Sequence, residues 1–219
     1  MNIALIGATG FVGAAVLSTL LQRGHQVSAL VRDPARLAPR PGLAVAVADA
    51  YDADAVAAAA RGHDAVVSAF NPGWSDPDLY DNFMRGSAAI ERGVQASGVR
   101  RLLVVGGAGS LFVAPGVQLV DTPQFLDHVP PAIVPGAQAA RDALDRLRAN
   151  AALDWTFLSP PAMLGQGEPT GGYRLGGEDL LMDGATPAGI AVADLALAIA
   201  DEIEQPRHLR ARFTVARQA

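Results

Sequence analysis

The chain has 219 residues, half of them hydrophobic and 18% charged, enough apolar content to fill a sizeable core and too much for general disorder. It contains neither cysteine nor lysine, all 17 basic residues being arginine, which excludes disulfides, thiolate metal sites, cysteine nucleophiles and any lysine-dependent mechanism. A net charge of −5 suits a phosphate backbone poorly, so no nucleic-acid partner is expected. The four histidines lack HxxxH or HExxH spacing, so no metal site is expected. No uncharged apolar run approaches the roughly 20 residues that span a bilayer. The first residues lack a basic signal-peptide region and are interrupted by Gly7, Gly10 and Gly13. A cytoplasmic protein with no membrane contact, one domain over 1–219, is the expectation.

In chain order, apolar runs predict strands over 2–7, 26–31, 43–47, 65–68, 101–105, 155–158 and 212–216. Helical stretches over 11–23, 54–61, 81–97, 136–149 and 193–204 lie between them. Alternation of the two predicts βαβ units. The fold class expected is α/β, a Rossmann-like, doubly wound, mostly parallel sheet with helices on both faces. Continuously apolar strands imply cover on both faces. The segments 70–79, 106–134 and 159–183 break the rhythm, each after a strand's carboxyl end, where open α/β sheets bind ligands. Their aromatics (Phe70, Trp74, Phe112, Phe125, Tyr173) point to pocket walls, with Trp74 either a wall or a buried loop anchor.

The first strand runs into Gly7-Ala8-Thr9-Gly10-Phe11-Val12-Gly13 and then a helix. Glycines allow a tight turn whose amides approach a pyrophosphate, and Gly13 lets the helix lie close to the strand. The spacing is GxxGxxG rather than the GxGxxG of the dehydrogenase fingerprint. Arg32 ends the second strand, with Arg36 one turn on; arginine there accommodates a 2′-phosphate, which favours NADP(H) over NAD(H), although Asp33 is adjacent and Arg32 could simply face solvent. Asp49 either meets the adenine amino group or shares a helix-cap role with Asp52. Ala69 and Phe70 would pass under the adenosine ribose through backbone groups.

These motifs, with Val105-Gly106-Gly107-Ala108-Gly109-Ser110, Asp154-Trp155-Thr156-Phe157-Leu158-Ser159-Pro160-Pro161, Gly171-Gly172-Tyr173-Arg174, Asp194-Leu195-Ala196 and Arg212-Phe213-Thr214-Val215, resemble the atypical short-chain dehydrogenase/reductases. More narrowly they resemble the NmrA-like group of NAD(P)H-binding and NADH-flavin-reductase-like proteins, over nearly the whole chain. Standard members of the superfamily use a Tyr-x-x-x-Lys pair on the helix after the fifth strand. Here that helix reads Val134-Pro135-Gly136-Ala137-Gln138-Ala139-Ala140-Arg141, without tyrosine or lysine. Arg141 could hold the ribose but cannot pass a proton at working pH.

The resemblance places Ser110 at the family's serine position, where it would hydrogen-bond a substrate oxygen or merely satisfy its turn. His128, on the expected rim, is of a residue type suited to proton donation, though a loop histidine is more often structural or solvated. Pro160 and Pro161 fall where the resemblance puts the nicotinamide ring, as an apolar shelf, a strand terminator or both. With no acid evident, hydride transfer to a flavin or quinone is easier than to a ketone, because the delocalised product can take its proton from water. The expected function is therefore NADP(H)-dependent reduction of a planar small-molecule acceptor, with flavin as a substrate. The alternatives are a non-catalytic redox sensor acting through a protein partner and an epimerase or dehydratase of sugar nucleotides. The helices at 81–97 and 136–149 could pair in a homodimer.

Overall fold

Residues 1–218 are described in a computed structural model of the chain. The apolar runs and helical stretches form β1 (Asn2–Ile6), α1 (Phe11–Gln22), β2 (Gln26–Val31), β3 (Leu43–Val47), α2 (Ala53–Ala60), β4 (Ala65–Ser68), α3 (Leu79–Ser97) and β5 (Arg101–Val105). A hairpin of β6 (Phe112–Ala114) and β7 (Val117–Gln118) follows, then α4 (Pro123–His128), α5 (Val134–Arg148) and β8 (Asp154–Ser159). The remainder holds β9 (Met163–Gly165), β10 (Arg174–Gly176), β11 (Met182–Asp183), β12 (Thr186–Pro187), β13 (Gly189–Ala191), α6 (Val192–Glu204) and β14 (Ala211–Ala216).

Eight strands make one sheet in the order β10-β14-β8-β5-β4-β1-β2-β3, parallel except for β10, which runs antiparallel to β14. Side chains alternate across a strand, so one face of β1 presents Ile3 and Leu5 to Val16 and Leu20 of α1 and Leu195 and Ile199 of α6. The other presents Ala4 and Ile6 to the layer of Val56, Ile90, Val94 and Leu144 from α2, α3 and α5. Cover on both faces explains why the inner strands are largely apolar on both faces. The edge strand departs from that expectation: β3 has one neighbour and thin cover, leaving Val47 69% exposed. The helices α3 and α5 turn apolar residues toward each other, Phe83 against Ala139, Ala140 and Ala143, and an ion pair from Arg146 to Glu91 (3.0 Å) ties them further.

From β1 the chain winds outward to β3, then returns to place β4 on β1's other side and winds the opposite way. That reversal opens a crevice above the carboxyl ends of β1 and β4, where doubly wound sheets bind ligands. Among the described residues, no helix is long and apolar enough to cross a membrane.

Candidate functional site

The glycine turn lies at that crevice. Gly7 has φ +83°, a left-handed conformation that disfavours any side chain, and a Cβ there would overlap the Ala69 carbonyl oxygen at the end of β4. A Cβ on Gly13 would overlap the Gly7 carbonyl oxygen. These two glycines thus press the start of α1 against β1 and β4, while the Gly10 amide closes the turn by donating to the Gly7 carbonyl at 3.0 Å. No side chain caps α1 and its first turn carries no acid. Its leading amides and the positive end of its dipole therefore face the crevice without a protein anion, a fit to a pyrophosphate. Thr9 and Val12 are half-buried and Gly10 and Phe11 exposed beside this turn.

At the adenosine end, Arg32 is exposed and Asp33 accepts from the Ala35 amide at 3.0 Å, capping a 3-10 turn over Pro34–Arg36. Asp52 alone caps α2, accepting from Asp54 and Ala55 amides at 2.9 and 3.1 Å. Asp49 instead accepts from the Tyr51 amide at 3.0 Å, in the preceding turn. The Ala69 amide donates to Ile6 at 2.9 Å. The Phe70 ring turns away into α3, where a Cβ on Gly86 would strike it, so only backbone is left for the crevice. Its ring meets Tyr51 edge-on at 5.6 Å, and the Arg85 guanidinium lies 4.4 Å from the Tyr51 ring centre.

The residues singled out for chemistry do not converge. Ser110 is 1% exposed and accepts from Arg212 Nη1 at 3.1 Å, so its hydroxyl faces protein rather than open space. His128 ends α4 and its Nδ1 is 2.8 Å from the Gln124 carbonyl oxygen of its own helix. Arg141 donates to Asp142 (2.8 Å) and Asp121 (3.0 Å), and Tyr80 donates to Asp142 at 2.7 Å. Pro160 and Pro161, directly after β8, are buried. Trp74 is 55% exposed over Gly136, neither buried anchor nor groove lining. Tyr173 points to the far end of α6 and donates to Asp201 at 2.6 Å; burial, then that bond, raises its pKa.

Sequence reasoning gave Arg212 and Glu178 no role. Arg212 is 4% exposed overall, and its guanidinium bonds Ser110, the Glu178 carbonyl (2.9 Å) and the Glu178 carboxylate. Arg148 reaches the same carboxylate at 2.7 Å. This brace pins the 178–180 segment, which exchanges backbone bonds with Phe112 (3.0 and 2.8 Å), to the sheet. Behind it Ser159 and Thr214, neighbours in register on β8 and β14, keep buried hydroxyls without partners among the described residues. The signal was present only as the quoted run Arg212-Phe213-Thr214-Val215, whose charged residue in an apolar strand marks a buried partner.

Outside the brace lies an apolar groove of about 730 Å³, walled by Phe112, Leu119, Leu180, Met182 and Pro187. Its walls are the segments that leave β5 and β8. Among the described residues, no cluster of His, Asp or Glu is arranged to hold a metal ion.

Sheet order, switch point and uncapped glycine turn define a Rossmann-type dinucleotide-binding protein. A family model described as NAD(P)H-binding matches residues 7–206, and the chain belongs to that oxidoreductase family, with the atypical short-chain dehydrogenase/reductases of the NmrA-like group. It is 35% identical to the uncharacterized protein YwnB of Bacillus subtilis (strain 168), over the full length of both. It is 34% identical over 82% of its length to a 3-diazoavenalumate denitrifying reductase of a Streptomyces species, of which it spans 61%. Among solved structures, a candidate epimerase from Bacteroides thetaiotaomicron matches with TM-score 0.91 and 42% identity, covering 100% of this chain and 97% of the other. A candidate NADH-flavin reductase from Streptococcus pneumoniae TIGR4 matches with TM-score 0.84 and 32% identity, covering all of both chains.

Proposed function

We propose that the protein is an NADP(H)-dependent reductase that passes hydride to a planar acceptor, a flavin or a quinone. The observation that carries this is the largely apolar groove walled by the segments that leave β5 and β8, broad enough for a fused ring system and with Asp179 as the one acidic residue in its lining. Its volume lies within the usual range for small-molecule sites, roughly 300–1,000 Å³. The amides at the start of α1 would hold the pyrophosphate, Arg32 would meet the 2′-phosphate, and the backbone of Ala69 and Phe70 would support the ribose. When bound, the dinucleotide supplies two electrons and one proton as hydride. The acceptor, delocalised over its rings, takes its second proton from water, so neither Ser110 nor His128 is required. The protein's own contribution is orientation and an apolar wall, held in place by the Arg212–Glu178 brace. The reductase named in Streptomyces and the flavin-reductase candidate from Streptococcus support the reaction class.

Oxidation of NADPH and NADH should be followed against FMN, FAD, riboflavin and quinones. Saturable, protein-dependent turnover with one planar acceptor is expected. Binding without turnover across the panel would replace this function with a redox sensor, a reading favoured by the burial of Ser110 and the self-bonding of His128.

A further inference from the structure

The turn after β3 and the turn after β4 stand on opposite sides of β1 and β2, yet Tyr51 and Phe70 meet edge-on at 5.6 Å. This aromatic contact bridges the ends of the strands that flank the adenosine position. Arg85 of α3 lies over the outer partner, 4.4 Å from the Tyr51 ring centre, and its Nη2 donates to Asn82 Oδ1 at 3.0 Å. Asn82 in turn donates to Asp76 at 2.9 Å, so the nearest carboxylate is engaged by Asn82 and the Asp78 amide. Burial raises the Tyr51 phenol pKa, the Arg85 charge opposes that rise, the Asp76 charge adds to it, and Arg32 is close enough for its charge to oppose it as well. Among the described residues, Arg32, Arg36 and Arg85 stand outside the ion pairs that hold most other arginines. Arg32 and Arg85, both exposed and both near Tyr51, leave two guanidinium groups at the adenosine end without a carboxylate partner among the described residues.

We propose that Arg85, held flat by the Tyr51 ring, is a second recognition residue for the 2′-phosphate and closes a clamp with Arg32. The assignment rests on the NADP(H) preference proposed above. Arg85 is the residue that touches the phosphate; Tyr51 is a positioning residue, its ring presenting the guanidinium by cation–π attraction.

The test uses 2′,5′-ADP and 5′-AMP, which differ only in that phosphate, with affinities measured by calorimetry on wild type, Arg32→Ala, Arg85→Ala, Tyr51→Phe and Tyr51→Leu. Wild type should prefer 2′,5′-ADP. A lost charge-assisted hydrogen bond amounts to a factor of about ten or more, so Arg32→Ala and Arg85→Ala should each cut the preference by at least that factor while 5′-AMP affinity holds. Tyr51→Phe keeps the ring face and should keep the preference; Tyr51→Leu should lose several-fold. If wild type shows no preference, the NADP(H) reading fails and takes the clamp with it. If Arg32→Ala abolishes the preference but Arg85→Ala retains it within about twofold, the clamp is overturned and the NADP(H) reading stands. Arg85 is exposed, so its alanine variant should keep the wild-type fold, checked by circular dichroism.

Discussion

Replacing Gly13 by alanine sets two physical effects of opposite sign against each other. Alanine is the better helix former by about 1 kcal/mol, so propensity alone predicts a rise in Tm of roughly 2–4 °C for a chain of this size. Packing predicts a fall. The added Cβ would overlap the Gly7 carbonyl oxygen, stand 2.6 Å from the Gly7 carbonyl carbon and 3.1 Å from Ala8 Cα. All three are backbone atoms, so no side chain can swing aside. Restoring ordinary contact requires α1 to draw back from the turn by roughly 1 Å. Overpacking of this kind costs about 1–3 kcal/mol, and more when only backbone can yield. With the backbone-limited cost at about 2–3 kcal/mol, the net loss is about 1–2 kcal/mol and Tm should fall by about 2–8 °C by differential scanning calorimetry. The same displacement carries the amides at the start of α1 away from the pyrophosphate, so dinucleotide affinity should fall at least about tenfold. A higher Tm with wild-type affinity would refute the claim that Gly13 sets the depth of the turn.

Three further outcomes follow from the buried polar network. Arg212→Met keeps most of the side-chain volume but strips Ser110 of its donor and leaves the Glu178 carboxylate to Arg148 alone; a loss of about 2–4 kcal/mol is expected from the urea midpoint, and a change under about 0.5 kcal/mol would contradict the brace. Asp194 is fully buried and accepts from the Thr170 amide (2.7 Å), Thr170 hydroxyl (3.0 Å) and Gly171 amide (3.0 Å). Asp194→Asn turns a donor toward donors and should cost about 1–3 kcal/mol in thermal unfolding; wild-type stability would show that the 170–171 turn is held some other way. Burial alone would push the Glu178 and Asp142 carboxyls up, but Arg212 and Arg148 around the first, and Arg141 and Tyr80 around the second, outweigh it and hold both below their ordinary values. A depressed folded-state pKa gives stability that is present above the unfolded values, 4.5 and 3.8, and lost as pH falls through the lower folded ones. Resistance to urea should therefore fall as pH drops below those values, less steeply in Glu178→Gln than in wild type, and identical slopes would contradict the assignment.

The parallel core was legible because burial on both faces writes itself as largely apolar runs, and the predicted strands and helices end within about two residues of those observed. Edge position is not written that way: Leu43–Val47 reads like an inner strand, and only the sheet order shows that Val47 faces outward. The glycine turn was legible because backbone contact demands a residue type. The groove was not, because β6, β7, β11 and β12 are two or three residues long, too short for a period, and their place depends on the distant partners Arg212 and Glu178. Ser110 and His128 carry the residue types of chemistry, but which way a hydroxyl or imidazole faces is fixed by tertiary neighbours, here Arg212 and Gln124.

The central claim is tested most directly by titrating wild type and Gly13→Ala with NADPH and with NADH by calorimetry. The account predicts saturable one-to-one binding of NADPH, tighter than that of NADH, and at least about tenfold weaker in the variant. Wild type that binds neither dinucleotide at concentrations up to about 1 mM would contradict it.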